Sequence, residues 1–258
     1  DYFMKRELYN LGDQEFGTFV NVLHQSLEKA ELPYIFVGGT AIQAHILKRI
    51  CNRERKTLTE LLDSGFRLQD YIRSTDDVDL AVDSNIVSEQ GDEGFRKKLY
   101  NALEDVNSFE GISPYEDHIL KFPLYRKGMK RPVFDVSIDD ETNPDEKIAL
   151  NVGRATSDIQ GIDSTYYNKF FNGGQIIEFP YNDSITISGR YINPTDLLAS
   201  KISKFRAKDA MDMHNLVDIM RDDGEFIDLD KIRTTLGPKY SKNYHRFLEL
   251  AQLEDYKV

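Results

Sequence analysis

The tightest constraint on this chain is a short apolar run, Tyr34-Ile35-Phe36-Val37, that ends abruptly in Gly38-Gly39-Thr40-Ala41. A fully apolar run of this length reads as a buried strand. Beyond the glycines, Ala41, Ile42, Ala44, His45 and Leu47 suit a helix that starts where the strand stops. Glycine lets backbone amides approach an anion closely. A helix N-terminus adds unpaired N–H groups and the positive end of a dipole, and Thr40 adds a hydroxyl. Gly38, Gly39 and Thr40 are therefore candidates for holding phosphate, although a tight strand-to-helix turn also uses glycine for packing alone.

A second strand follows at Val78, Leu80 and Val82, which alternate with Asp77, Asp79 and Asp83 to leave one acidic face. Residues two apart on a strand project to the same side, about 7 Å apart. Two carboxylates held this way repel unless a cation lies between them, and a hard divalent ion such as Mg²⁺ suits oxygen donors. A third carboxylate on a neighbouring strand would complete a two-metal site for triphosphate chemistry. Asp135 fits, because Phe134, Val136 and Ile138 share the opposite face of its strand; Asp139 is the rival, nearer the loop end. Taken alone, the Asp77/Asp79 pair would be the solvated face of an edge strand.

Other segments frame these two. Phe16, Phe19, Val20, Leu23 and Leu27 predict an amphipathic helix over 13–32, stopped by Pro33. The charged stretch 49–72, with Leu58, Leu61, Leu62 and Phe66 in helical register, predicts a helical excursion. Residues 91–106 predict a further helix, and 118–125 and 132–138 a hairpin joined through Lys127-Gly128. Residues 176–179 and 185–192 predict one or two more strands. From Asn193 onward the pattern turns helical, over 197–205, 209–220, 229–236 and 240–256, with Asn193 or Thr195 capping the first. The expected architecture is α/β (α+β): residues 1–193 as a mixed sheet flanked by helices, with a helical insertion at about 48–72, then a helical domain over 194–258.

Composition narrows the functional classes. At 258 residues with 40% apolar content the chain can bury a sizeable core. No apolar run approaches the roughly 20 residues of a membrane span, no secretion signal is evident, and Cys51 is the single cysteine. These features predict a cytoplasmic protein with no disulfide, no zinc cluster and no membrane partner. A net charge of −11 argues against a broad nucleic-acid-coating surface. It leaves room for local basic patches at 48–56, 121–131 and 201–208.

The two motifs together, Phe36-Val-Gly-Gly-Thr-Ala41 and Arg73-Ser-Thr-Asp-Asp-Val-Asp-Leu80, resemble the DNA polymerase beta-like nucleotidyltransferase superfamily, and within it the AbiEii/AbiGii toxin-type branch. A later block is similar to that branch's helical signature: Asn193-Pro-Thr-Asp-Leu-Leu-Ala-Ser-Lys201, then Arg206-Ala-Lys-Asp209-Ala-Met-Asp212-Met213. The resemblance spans roughly residues 30 to 220. It implies that Gly38, Gly39 and Thr40 bind nucleotide phosphates and that Asp77 and Asp79 hold Mg²⁺ (or Mn²⁺), with Asp135 as the third acidic residue. Lys201 would neutralise the triphosphate, and Asp209 or Asp212 would orient that lysine or the acceptor. The implied reaction moves a nucleotidyl group from an NTP to a hydroxyl of tRNA or protein, releasing pyrophosphate. The implied setting is a toxin with a cognate antitoxin, or phage defence. The spacing between the glycine turn and the Asp pair, residues 41–76, is longer than usual for such enzymes.

Duller roles compete residue by residue. Lys201 and Asp209 as a surface ion pair would contribute well under about 1 kcal/mol. Asp212 reads as structural, pairing with Arg206 or capping a helix, and His45 as a packed side chain rather than a base. Tyr166, Tyr167, Phe170 and Phe171 read as core or interface, with base stacking as the alternative. At the level of the whole chain, the rivals to nucleotidyl transfer are a kinase on the same site and a nucleotide-binding or toxin–antitoxin module without turnover.

Overall fold

The computed structural model describes residues 10–75, 77–82, 118–121, 133–140, 147–154 and 174–253. The strands within 118–154, together with Glu15, Asp77 and Val82, are described by their backbone. Along the chain the elements are α1 (Gln14–Lys29), β1 (Tyr34–Val37), α2 (Gly38–Glu54), α3 (Leu58–Asp63), β2 (Asp77–Val82), β3 (His118–Lys121), β4 (Val133–Asp140) and β5 (Lys147–Arg154). Then come β6 (Gln175–Pro180), β7 (Thr186–Tyr191), α4 (Pro194–Lys204), α5 (Ala207–Asp222), α6 (Leu229–Leu236) and α7 (Ser241–Leu250).

The strands form one mixed sheet in the order β3-β4-β5-β2-β1-β7-β6. β1 runs antiparallel to β2 and parallel to β7, while β2 runs parallel to β5. β1 is an interior strand with Tyr34, Ile35 and Phe36 buried and Val37 partly so: Phe36 packs 5.3 Å from the Tyr34 ring and 5.1 Å from Tyr191. α1 packs on β7, and α2 lies along β1, β2 and β6. The expected α/β class, a mixed sheet flanked by helices and followed by a run of helices, is what the chain adopts.

Local signals account for the element ends. Asn193 caps α4 by accepting from the Asp196 amide at 2.9 Å, with Pro194 in the first turn, and Thr57 builds a capping box with Glu60 at the start of α3. α1 stops at Lys29, ahead of Leu32: Glu31 turns left-handed at φ 52° and the Leu32 amide bonds back to the Leu27 carbonyl. Pro33 disfavours helical geometry at Leu32, which sets that limit. The single helix expected over 240–256 divides into a 3₁₀ turn at Pro238–Tyr240 and α7 ending at Leu250.

One strand has no counterpart among the sequence expectations. β5 lies between β2 and β4, yet its sequence Lys-Ile-Ala-Leu-Asn-Val-Gly-Arg mixes Ala, Asn and Gly, which are poor strand formers, into the run. Pairing on both sides stabilises it where local propensity does not. The helix expected over 91–106, the Lys127-Gly128 connection, Asp83 and the aromatic group 166–171 lie outside the described residues.

The boundary expected near residue 193 falls between β7 and α4. Side chains from both sides of it share one buried cluster that runs from Leu11 to Ala251. Ion pairs also cross it: Arg49 on α2 donates to both carboxylate oxygens of Glu225 at 2.7 and 2.6 Å, and Arg53 reaches Asp222 at 3.3 Å. Among the described residues no helix is long and apolar enough to cross a membrane.

Candidate active site

The centre of the site is the junction of β1 and α2. Gly38 adopts φ +66°, a left-handed conformation that turns the strand directly into the helix. It also makes room for the neighbouring strand. A β-carbon on Gly38 would overlap the Asp79 carboxylate, lying 2.9 Å from its Cγ. On Gly39 a β-carbon would come 3.2 Å from an Arg73 guanidinium nitrogen and 3.3 Å from Thr75 Oγ1. The N-cap residue of α2, Val37, offers no side-chain hydrogen bond and the first turn holds no acidic residue. Thr40, by contrast, is fully buried, and its hydroxyl has no hydrogen-bond partner among the described residues.

Backbone register places the three carboxylate-bearing positions. Asp79 pairs with Val37 on one side and with Asn151 on the other; Asp135 pairs with the same Asn151 from β4. Asp79 and Asp135 therefore stand at one level, two strands apart, on the same pleat face, with Asp77 one pleat repeat along at Ala149. Asp139 shares that face but pairs with Lys147, two pleat repeats farther along β4. Two strand spacings amount to about 9.6 Å, a span that hard cations and a triphosphate fill better than a direct contact. Among the described residues no three His, Cys, Asp or Glu side chains converge as a metal site. The three expected carboxylates offer hard oxygen donors without sulfur or imidazole, a set that would suit Mg²⁺.

The helical side supplies positive charge. Lys201 on α4 is 4% exposed and donates to Asp212 at 2.7 Å and Asp209 at 3.4 Å. Asp212 is held bidentately by Arg73, at 2.9 and 3.1 Å, and Asp209 by Arg206, at 2.7 and 3.0 Å. These five residues form a chain of alternating charge, Arg73–Asp212–Lys201–Asp209–Arg206, that begins beside Gly39 and crosses to the start of α5. Lys201 and Asp209 are thus partners in a buried network, not a surface pair. Asp212 pairs with Arg73 and Lys201, while Arg206 closes on Asp209. Burial alone would raise the Asp209 carboxyl, but the Arg206 hydrogen bonds and the Lys201 charge hold it at about 2.

Three contributors carry no assignment from the sequence. Arg73 joins the glycine turn to α5. Gln43 is buried on α2, accepting from the Leu11 amide at 2.8 Å and donating to the Arg73 carbonyl at 2.9 Å, which fixes the strand entry to β2. Lys204, the last residue of α4, is half-buried; burial pushes its pKa down to about 8, against the attraction of Asp79. A polar residue at a helix position otherwise apolar is the visible signal for Gln43; nothing local distinguishes Lys204 from its lysine-rich surroundings. His45 is buried and packed, as expected: Nε2 meets the Ile192 carbonyl at 2.7 Å and Nδ1 faces Arg49 at 3.3 Å.

No protein-family model matches the chain, and no curated protein matches it closely enough to be related by sequence. Among solved structures it is similar to an antigenic nucleotidyltransferase-like protein from Paracoccidioides brasiliensis, with 18% identity and a TM-score of 0.44 over 81% of this chain and 77% of that one. A likeness so distant carries no argument about activity.

Proposed function

We propose that the protein is a Mg²⁺-dependent nucleotidyltransferase that moves an NMP from an NTP to a hydroxyl on tRNA or protein, as the toxin of a toxin–antitoxin or phage-defence pair. One observation carries the chemical part of this reading: the N-terminus of α2 and the Asp79 carboxylate meet at Gly38, with Asp135 level with Asp79 across β5. Amides and carboxylates so close are poorly explained by packing, because an anion and the cations that serve it need both. The acceptor and the biological setting rest on the motif resemblance alone.

In this reading Asp77, Asp79 and Asp135 hold the metal, and the amides of Gly38, Gly39 and Thr40 orient the triphosphate. Bound Mg²⁺ would supply charge neutralisation across the phosphates. The acceptor oxygen attacks the α-phosphorus in line, and the bond to the oxygen bridging the α- and β-phosphorus breaks. Pyrophosphate leaves with that electron pair, and Asp135 takes the hydroxyl proton. Arg73, Lys201, Asp209 and Asp212 hold the facing wall. The test is incubation of protein and Mg²⁺ with each NTP labelled at the α-phosphate and, in parallel, at the γ-phosphate, plus total RNA and lysate protein. Label entering RNA or protein, and lost with Asp77→Ala, supports the reading and identifies the acceptor. Label transferred only from the γ-position would replace it with a kinase, and no transfer from either would replace it with a binding module.

A further inference from the structure

Arg73 lies against Gly39, and three further described cations, Lys201, Lys204 and Arg206, stand on α4 and at the start of α5. Three are committed to buried carboxylates, Arg73 to Asp212, Arg206 to Asp209, and Lys201 to both. Lys201 is saturated in this way and nearly inaccessible, so reaching a substrate would break two buried ion pairs at once. Lys204 lies three residues on, on the same face of α4. Among the described residues it makes no ion pair, and its electrostatic neighbours include Asp79, the carboxylate seated against Gly38. The residue after it, Phe205, turns left-handed at φ 44° and ends the helix, so the lysine stem leaves from the corner between α4 and α5.

We propose that Lys204, rather than Lys201, is the lysine that contacts the polyphosphate of the bound nucleotide, and that Lys201 is a positioning residue locking the α4–α5 corner. This rests on the nucleotidyltransferase reading for its substrate. Lys204 is a point charge on a flexible stem, with no ion pair among the described residues to break before it meets a phosphate oxygen. Its ammonium then offsets charge gathering on the departing pyrophosphate.

The test compares wild type with Lys204→Met, Lys204→Arg and Lys201→Met, measuring Mg²⁺-dependent binding of an NTP and of inorganic tripolyphosphate, α-label transfer, and thermal stability. Lys204→Met is expected to weaken binding of both ligands by roughly ten- to a hundredfold at unchanged melting temperature, with partial rescue by Lys204→Arg. Lys201→Met is expected to lower the melting temperature. Wild type that binds or transfers normally while Lys204→Met stays within twofold overturns the proposal and leaves the nucleotidyltransferase reading standing. Wild type that transfers nothing, yet binds tripolyphosphate through Lys204, removes that reading and keeps Lys204 as a polyphosphate contact. Wild type that binds neither ligand removes both.

Discussion

The carboxylate of Asp79 occupies the space that a side chain at residue 38 would need: a β-carbon there would sit 2.9 Å from Asp79 Cγ and overlap its oxygens. Gly38 is thus required twice, for a left-handed turn and for the absence of a β-carbon. Gly38→Ala should destabilise the fold by at least about 2 kcal/mol, from left-handed strain and the displaced carboxylate. It should also abolish NTP binding. Urea unfolding together with nucleotide titration checks both; an alanine variant of wild-type stability would refute the geometry at this turn.

Arg73 is the tie between the turn and the helical segment. Its bidentate grip on Asp212, which is 2% exposed, leaves a buried carboxylate short of a partner when removed. Because the Arg73 side chain is itself 18% exposed, Arg73→Ala should cost about 2 to 3 kcal/mol, toward the low end of broken buried pairs. Arg73→Lys should recover only part of this, since a lysine cannot make the planar two-point contact. Denaturant midpoints of the two variants separate charge from geometry.

His45 makes stability sensitive to acid. Burial holds its pKa down at about 3, from 6.5, so the folded ring stays neutral where an unfolded one takes a proton. The unfolded state therefore binds more protons between these values, and stability falls as pH drops from 6.5 towards 3, by on the order of 5 kcal/mol at most. Above pH 6.5 the contribution is complete. His45→Gln should start less stable at neutral pH, having lost a buried hydrogen bond, and show a flatter decline in melting temperature through that window. Parallel declines in both proteins would locate the acid sensitivity elsewhere.

Replacing the carboxylates proposed to bind metal should separate chemistry from folding. Asp79→Asn keeps the shape beside Gly38 while removing the charge. Transfer is expected to fall by at least about a hundredfold, with melting temperature within a few degrees of wild type. The same result is expected for Asp77→Asn. Retained turnover in both would remove these aspartates from the reaction.

Legibility in the sequence followed the range of the interactions involved. β1 and the start of α2 are visible locally, because a four-residue apolar run followed by two glycines has few backbone solutions. Asp77 and Asp79 needed only the two-residue period of a strand. β5 was not legible, because its stability comes from hydrogen-bonded neighbours on both sides and its own residues favour a strand weakly. Asp212 illustrates the same limit: its partner Arg73 is 139 positions away, and a nearby arginine is the natural expectation on local grounds alone.

By itself, the sequence determined the α/β class, most of the described elements with β5 excepted, and the glycine turn and acidic strand as candidate chemistry, since these depend on contacts within a few residues. The tertiary structure alone decided that Asp79 and Asp135 share one level through Asn151, that Arg73 and Lys201 meet on Asp212, and that Lys204 is left without an ion-pair partner among the described residues. Those are relations between distant segments. Strand register and helix packing create them, and no local periodicity encodes either.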